Sequence, residues 1–99
     1  MISNFINGQI TKGSSTKKLD IYNPATGEII NSVYCSNKND LYETVNIAKK
    51  SFYEWSKYTA LKRSRILSNY KSLLNENIDV ISEIVSKEHG KTIEDAKGS

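Results

Sequence analysis

Few side chains in this chain are of a type that does chemistry. Its one cysteine, Cys35, closes a predicted strand. A nucleophilic thiolate there needs a nearby base or a helix N-terminus to lower its pKa, and the single histidine, His89, lies far along the sequence. Cys35 therefore reads as a small, partly buried side chain, and a lone thiol excludes an internal disulfide framework and a four-cysteine zinc site. His89 falls just before Gly90 at the end of a long helical pattern, where an imidazolium complements the negative end of the helix dipole. Glu83, Glu88, Glu94 and Asp95 gather carboxylates near that end, but no second histidine stands at metal-ligand spacing from them. A phosphate-cradling glycine loop, a P-loop and a G-x-S-x-G elbow are all absent. Phe52, Trp55, Tyr58 and Tyr70 sit on helix stripes and read as core rather than as a stacking platform. These types and spacings assign no catalytic, cofactor-binding or metal-binding residue.

The elements that would have to position any site are clearer. Leu61 to Gly90 reads as one long amphipathic helix, predicted over 60–89. At 100° per residue, Leu67, Leu74, Ile78, Ile81 and Val85 form one line. Ile66, Leu73, Val80 and Ile84 form a second beside it, with Tyr70 between. The stripe is about 160° wide, against the ~100° that covers one core face. Unbroken, the helix is roughly 43 Å long, while a compact domain of this size has a diameter of roughly 34 Å. Asn75-Glu76-Asn77 is poor helix material and marks a candidate break at 75–77, although the apolar phase runs straight through it.

The preceding helix is predicted over 38–57, started either by Asn37 with Asp40 or by Asp40 with Glu43. Leu41, Val45, Ala48, Phe52 and Trp55 give it a seam only about 80° wide, too narrow to cover its neighbour. The short connection 57–59, with Thr59 as N-cap, predicts two antiparallel helices side by side. Upstream, residues 3–34 read as two β-hairpins in series. Asn7-Gly8 tolerates the positive φ angles of a type I′ turn, and Pro24-Ala25-Thr26-Gly27 is a turn between alternating stretches. After Gly90, Thr92 with Asp95 starts another helix predicted over 92–99. A helix that begins so late, and a long helix too apolar for its chain, both predict that these 99 residues are part of something larger. By pattern the chain is an α+β fragment.

Bulk properties exclude more than they assign. The formal charge of +3 comes from fourteen basic residues against eleven acidic ones. Lys17-Lys18, Lys49-Lys50 and Lys62-Arg63-x-Arg65 are short clusters on solvated faces, without the stripe of base-reading side chains that a nucleic-acid groove reader needs. No apolar run approaches the ~20 residues that span a bilayer, and MISNFINGQ lacks a secretory pattern. A soluble protein of the reducing cytoplasm, binding neither nucleic acid nor membrane, is expected. A helical interaction module that uses the wide apolar face is the alternative from a different class.

Read as words, several stretches resemble the N-terminus of the NAD-dependent aldehyde dehydrogenase superfamily. Phe5-Ile6-Asn7-Gly8-Gln9 resembles its "FINGxW" opening, and Tyr22-Asn23-Pro24-Ala25-Thr26-Gly27-Glu28-Ile29-Ile30 its "NPATGEVI" hairpin, the most specific match. Ala48 to Trp55 resembles "AxxAFxxW". Arg63-Ser64-Arg65-Ile66-Leu67 and Leu73-Leu74 match the helix that follows it, and Glu88 to Gly98 resembles "EHGKTxxDAxG". The matches keep family order and spacing across nearly the whole chain. Glu88-His89-Gly90-Lys91-Thr92 is similar to the methylmalonate-semialdehyde dehydrogenases, the coenzyme A-acylating branch, while another semialdehyde dehydrogenase of the superfamily remains the alternative.

The resemblance implies that residues 1–99 are the N-terminal fragment of an α/β parent several times longer. Such a parent has a Rossmann-like NAD domain, a catalytic domain and an oligomerisation ribbon, commonly assembled as a tetramer. A thiolate attacks the aldehyde, hydride passes to NAD, and the acyl group leaves to water or to coenzyme A. For the acylating branch this places the parent in valine and pyrimidine catabolism. Its partners would be the aldehyde, NAD, coenzyme A and the remainder of the parent enzyme. Cys35 is not the family nucleophile, and no catalytic, cofactor or metal residue of the family carries over to a position here, so the isolated chain is expected to be inactive.

Overall fold

The computed structural model describes residues 1–99 as four short strands followed by four helices. They divide into two compact units, one of residues 1–21 and 29–57, the other of residues 22–28 and 58–99.

In the first unit, β1 (Asn4–Ile6) and β2 (Gln9–Thr11) pair antiparallel, with Phe5 opposite Ile10. Asn7 and Gly8 link them at φ 52° and 74°. Both angles are positive, as a type I′ turn demands, which is why this dipeptide stands there. A second two-stranded sheet joins β3 (Lys18–Tyr22) to β4 (Ile29–Tyr34). Ile2 adds a parallel bridge to Val33, its N–H donating to the Ser32 carbonyl at 2.7 Å. Helix α1 (Lys38–Trp55) follows. Of the two starts that the sequence allows, Asn37 is the N-cap. Its Oδ1 accepts from the Asp40 N–H at 3.0 Å while Asp40 Oδ2 accepts from the Asn37 N–H at 2.9 Å, a complete capping box.

In the second unit, residues 22–28 form the turn of the β3–β4 hairpin. Asn23 Oδ1 accepts from the Ala25 N–H at 2.9 Å, and the Asn23 carbonyl accepts from the Gly27 N–H at 2.7 Å. Helix α2 (Ala60–Glu76) is capped by Thr59, and α3 (Ile78–His89) follows after one residue. The helix expected over 60–89, with its candidate break at 75–77, is thus two helices divided at Asn77. At Asn77 the backbone turns to φ −108°, ψ 14°, and its side-chain amide donates to the Leu73 carbonyl at 2.8 Å. That local bond competes with the helical ladder, as asparagine side chains do. Helical bonding survives on either side, with Asn77 N–H to the Leu73 carbonyl at 3.2 Å and Ile81 N–H to the Asn77 carbonyl at 3.0 Å.

Helix α4 (Ile93–Lys97), with Thr92 as N-cap, packs against α3. The facing surface of α3 is polar and small. Asp79 takes Lys97 at 3.0 Å, Ser86 Oγ donates to the Lys91 carbonyl at 2.8 Å, and Ser82 between them is 1% exposed. Ser82 and Ala96 are the only buried residues of the chain. The expected seam of α1 is open, with Leu41, Val45 and Phe52 all exposed, and so are Leu73, Val80 and Ile84 in the second unit. The face of α1 with reduced exposure carries Asp40, Thr44 and Ile47 instead. Polar bonds to the 13–16 loop hold Asp40 there, and an apolar seam brings no such directional anchor. The chain exposes 7989 Å², against roughly 5,700 Å² for a folded monomer of its mass.

Gly90 ends α3 in the left-handed conformation at φ 85°. A Cβ built on it would stand 2.8 Å from Pro24 Cγ, whereas one on Gly27, at φ 75°, would meet nothing. Alanine at either position incurs about 1–2 kcal/mol for a left-handed backbone, and only Gly90→Ala adds a clash. Gly90→Ala is therefore expected to destabilise this unit by about 2–3 kcal/mol, more than Gly27→Ala. Urea unfolding followed by circular dichroism checks both the size and the order.

Candidate functional site

The most developed polar cluster in the first unit is built around Asp40. Its Oδ1 accepts from the Ser14 N–H at 2.9 Å and from Ser14 Oγ at 2.8 Å, while Oδ2 closes the capping box on Asn37. Asn37 Nδ2 donates to Ser14 Oγ at 2.8 Å, which completes a closed circuit. Gly13, at φ 74°, lets the loop come this close, since a Cβ on it would lie 2.9 Å from Asp40 Oδ2. These bonds, led by the Asn37 amide and then Ser14, hold the Asp40 carboxyl below its ordinary value of 3.8. The α1 N-terminus is thereby tied to a loop far back in sequence. The capping pair Asn37-x-x-Asp40 was visible in the sequence, but its reach to Ser14 was not.

Beside this cluster lies an open cleft of about 260 Å³, lined by Asn4, Gln9, Thr11, Asp40, Glu43 and Thr44 among others. Its charged groups are two carboxylates. They would repel the pyrophosphate of a dinucleotide, and neither a glycine-rich turn nor a cation is present to receive one. The cleft does not fit NAD, and no step of a hydride transfer is assigned to these residues.

The other candidate residues are engaged in structure. Cys35 is half-buried just beyond β4, its N–H donating to the Lys17 carbonyl at 2.9 Å. His89 stands in the last turn of α3 beside the C-terminal dipole. Glu83 pairs with Lys87 at 2.8 Å, which lowers its pKa. Glu94 and Asp95 occupy the first turn of α4, where carboxylates favour a helix start. No group of three or more His, Cys, Asp or Glu is arranged to hold a metal ion, and no helix is long and apolar enough to cross a membrane. Within Glu88-His89-Gly90-Lys91-Thr92, Gly90 turns the chain against Pro24, Ser86 holds the Lys91 carbonyl, and Thr92 caps α4. Gly90, Lys91 and Thr92 thus form a corner used in folding.

This arrangement of two small hairpins, a capped helix and a broken second helix with a glycine corner has clear counterparts among known proteins. The model of the aldehyde dehydrogenase family matches residues 10–99, and the chain belongs to that family. A Dictyostelium discoideum protein named methylmalonate-semialdehyde/malonate-semialdehyde dehydrogenase, acylating and mitochondrial, is 42% identical over 95% of this chain and 18% of its own. A malonate-semialdehyde dehydrogenase of Bacillus pumilus is 41% identical over 99% of this chain and 20% of its own. Among solved structures, one named for a methylmalonate-semialdehyde dehydrogenase of Sinorhizobium meliloti, complexed with NAD, matches at a TM-score of 0.90 and 39% identity. It covers 95% of this chain and 19% of that one. The chain thus spans about a fifth of the length of the curated relatives it matches.

The Asp40 cluster gives a pH dependence of definite sign. Its folded pKa lies below the unfolded value, so its stabilisation is complete above pH 3.8 and is lost as pH falls through the lower folded pKa. The protection of the Ser14 and Asn37 amides, measured by NMR as exchange relative to the unfolded-chain rate at each pH, should fall over that acid window. Asp40→Asn, which presents an uncharged group to the same donors, should show low protection of both amides at pH 7 and at pH 3 alike.

Proposed function

We propose that this chain is the N-terminal portion of an NAD-dependent malonate- or methylmalonate-semialdehyde dehydrogenase that transfers its acyl product to coenzyme A. The observation that carries the reading is the identity of about 40% to relatives of those names across nearly the whole chain. The Glu88-His89-Gly90-Lys91-Thr92 corner supports the same branch through its resemblance to the acylating enzymes. In this reading residues 1–99 supply scaffold. The nucleophile, the oxyanion donors and the principal NAD contacts belong to the remainder of the parent, which works as a homo-oligomer in the cytoplasm.

The full-length parent, assayed with malonate semialdehyde and NAD, is expected to form NADH and an acyl-CoA together when coenzyme A is present. NADH formation should fall sharply when coenzyme A is withheld. Absorbance at the NADH band and mass spectrometry of the thioester measure the two products. Equal turnover without coenzyme A would move the protein to a hydrolytic semialdehyde dehydrogenase, and no NADH with either semialdehyde would overturn the assignment.

A further inference from the structure

The hairpin that opens the first unit turns on Asn7-Gly8, and no other asparagine of the chain is followed by glycine. With no Cβ beside it, the Gly8 nitrogen can approach the side-chain carbonyl of the residue before it. Asn7 and Gly8 are both exposed, and no hydrogen bond holds the Asn7 side-chain amide. No backbone carbonyl accepts from the Gly8 N–H either. The two groups are free to react, and the backbone angle between them decides whether they meet.

As the turn stands they do not. In a type I′ turn the first central residue has ψ of about +30°, which puts the next nitrogen far from Cβ. A five-membered ring closes only where that nitrogen eclipses Cβ, at ψ of about −120°, the value of a type II′ turn. The two turns share a φ of about +60° at this residue, and Asn7 already has 52°. Passing between them needs a flip of the planar Asn7–Gly8 peptide. Gly8 then goes from 74° to about −80°, and glycine takes both signs without strain. Both turns serve two-residue hairpins and match the twist of the strands, so β1 and β2 stay paired throughout.

We propose that Asn7-Gly8 is a site of spontaneous covalent modification that proceeds in the folded hairpin through this flip. The Gly8 nitrogen gives its proton to solvent base and attacks Asn7 Cγ. A bond forms between them, the bond from Cγ to Nδ2 breaks, and ammonia leaves behind a cyclic succinimide. Water then opens the ring at one of its two carbonyls, with no oxidation or reduction. Opening at Cγ leaves aspartate in an unchanged main chain. Opening at the Asn7 backbone carbonyl leaves isoaspartate, whose main chain runs through the side chain and is one carbon longer. The longer tip no longer sets Phe5 opposite Ile10, because loop length fixes the register of a hairpin. Either product adds a carboxylate to the cleft that Asn7 lines with Asp40 and Glu43, where like charges repel.

Asn31-Ser32 is the internal comparison. The Ser32 N–H donates to Asn31 Oδ1 at 2.8 Å, so proximity alone would favour reaction there. That peptide lies within β4, however, and the Ser32 carbonyl accepts from the Ile2 N–H at 2.7 Å. A flip inside a paired strand forfeits ladder bonds, and Ser32 lacks the freedom of glycine. The inference needs neither the family assignment nor the enzymatic reading.

The test uses the full-length protein, held at weakly alkaline pH either native or in guanidinium chloride, then digested and read by mass spectrometry. The peptide holding Asn7 should exchange ammonia for water in the native sample at a rate within severalfold of the denatured one. Asn31 should lag well behind it in the native sample. The isoaspartyl product at position 7 should accept a methyl group from S-adenosylmethionine in the presence of an isoaspartyl carboxyl methyltransferase. Asn7→Gln, whose ring would need one more carbon, should leave this peptide unchanged. Native reaction slower than denatured by an order of magnitude overturns the proposal, because the hairpin then protects the site. So does equal reaction at Asn7 and Asn31, or ammonia loss that persists in Asn7→Gln.

Discussion

The constraint on which the rest of this structure depends is apolar surface without a cover. Helices of this length are marginal in water unless an apolar face is packed, yet the only residues fully buried are Ser82 and Ala96. Covering a Val, Leu or Ile contributes about 1.5–3 kcal/mol each, and most such residues here remain open. The local devices are of smaller size, about 1 kcal/mol for a good N-cap. The shape of each unit is thus written by polar and backbone interactions, while the larger stabilising terms are left to be made elsewhere.

Those local devices are dense for so small a chain. Asn37, Thr59 and Thr92 cap three helix starts. Asn23 organises a hairpin turn, Asn77 interrupts a helix, and Gly90 ends one against Pro24. Asp40 goes further, because one carboxylate serves both its own helix and the 13–16 loop. Ion pairs such as Lys57–Glu54 and Lys87–Glu83 lie in solvent and add little. A chain built this way presents faces in fixed positions. That suits the scaffold role proposed for it, and it explains why residues that look chemical in isolation, Cys35 and His89 among them, are absorbed into strand and helix ends.

The sequence by itself determined the elements and the family. Asn7-Gly8 and Pro24-Ala25-Thr26-Gly27 specify their turns through φ angles that few other residues tolerate, and the capping pairs and apolar periods act over three or four residues. All of these are local rules, so they survive reading the chain alone. Only the tertiary structure decided which cap starts α1, that the long helix breaks at Asn77, and that Asp40 reaches Ser14 across 26 positions. It also decided that α3 turns its Asp79, Ser82 and Ser86 side toward α4 and leaves Val80 and Ile84 open. A periodic stripe says that a helix has an apolar face and is silent about what will cover it. That choice is made by contacts distant in sequence, and here most of the chain length that could supply them lies in the longer relatives.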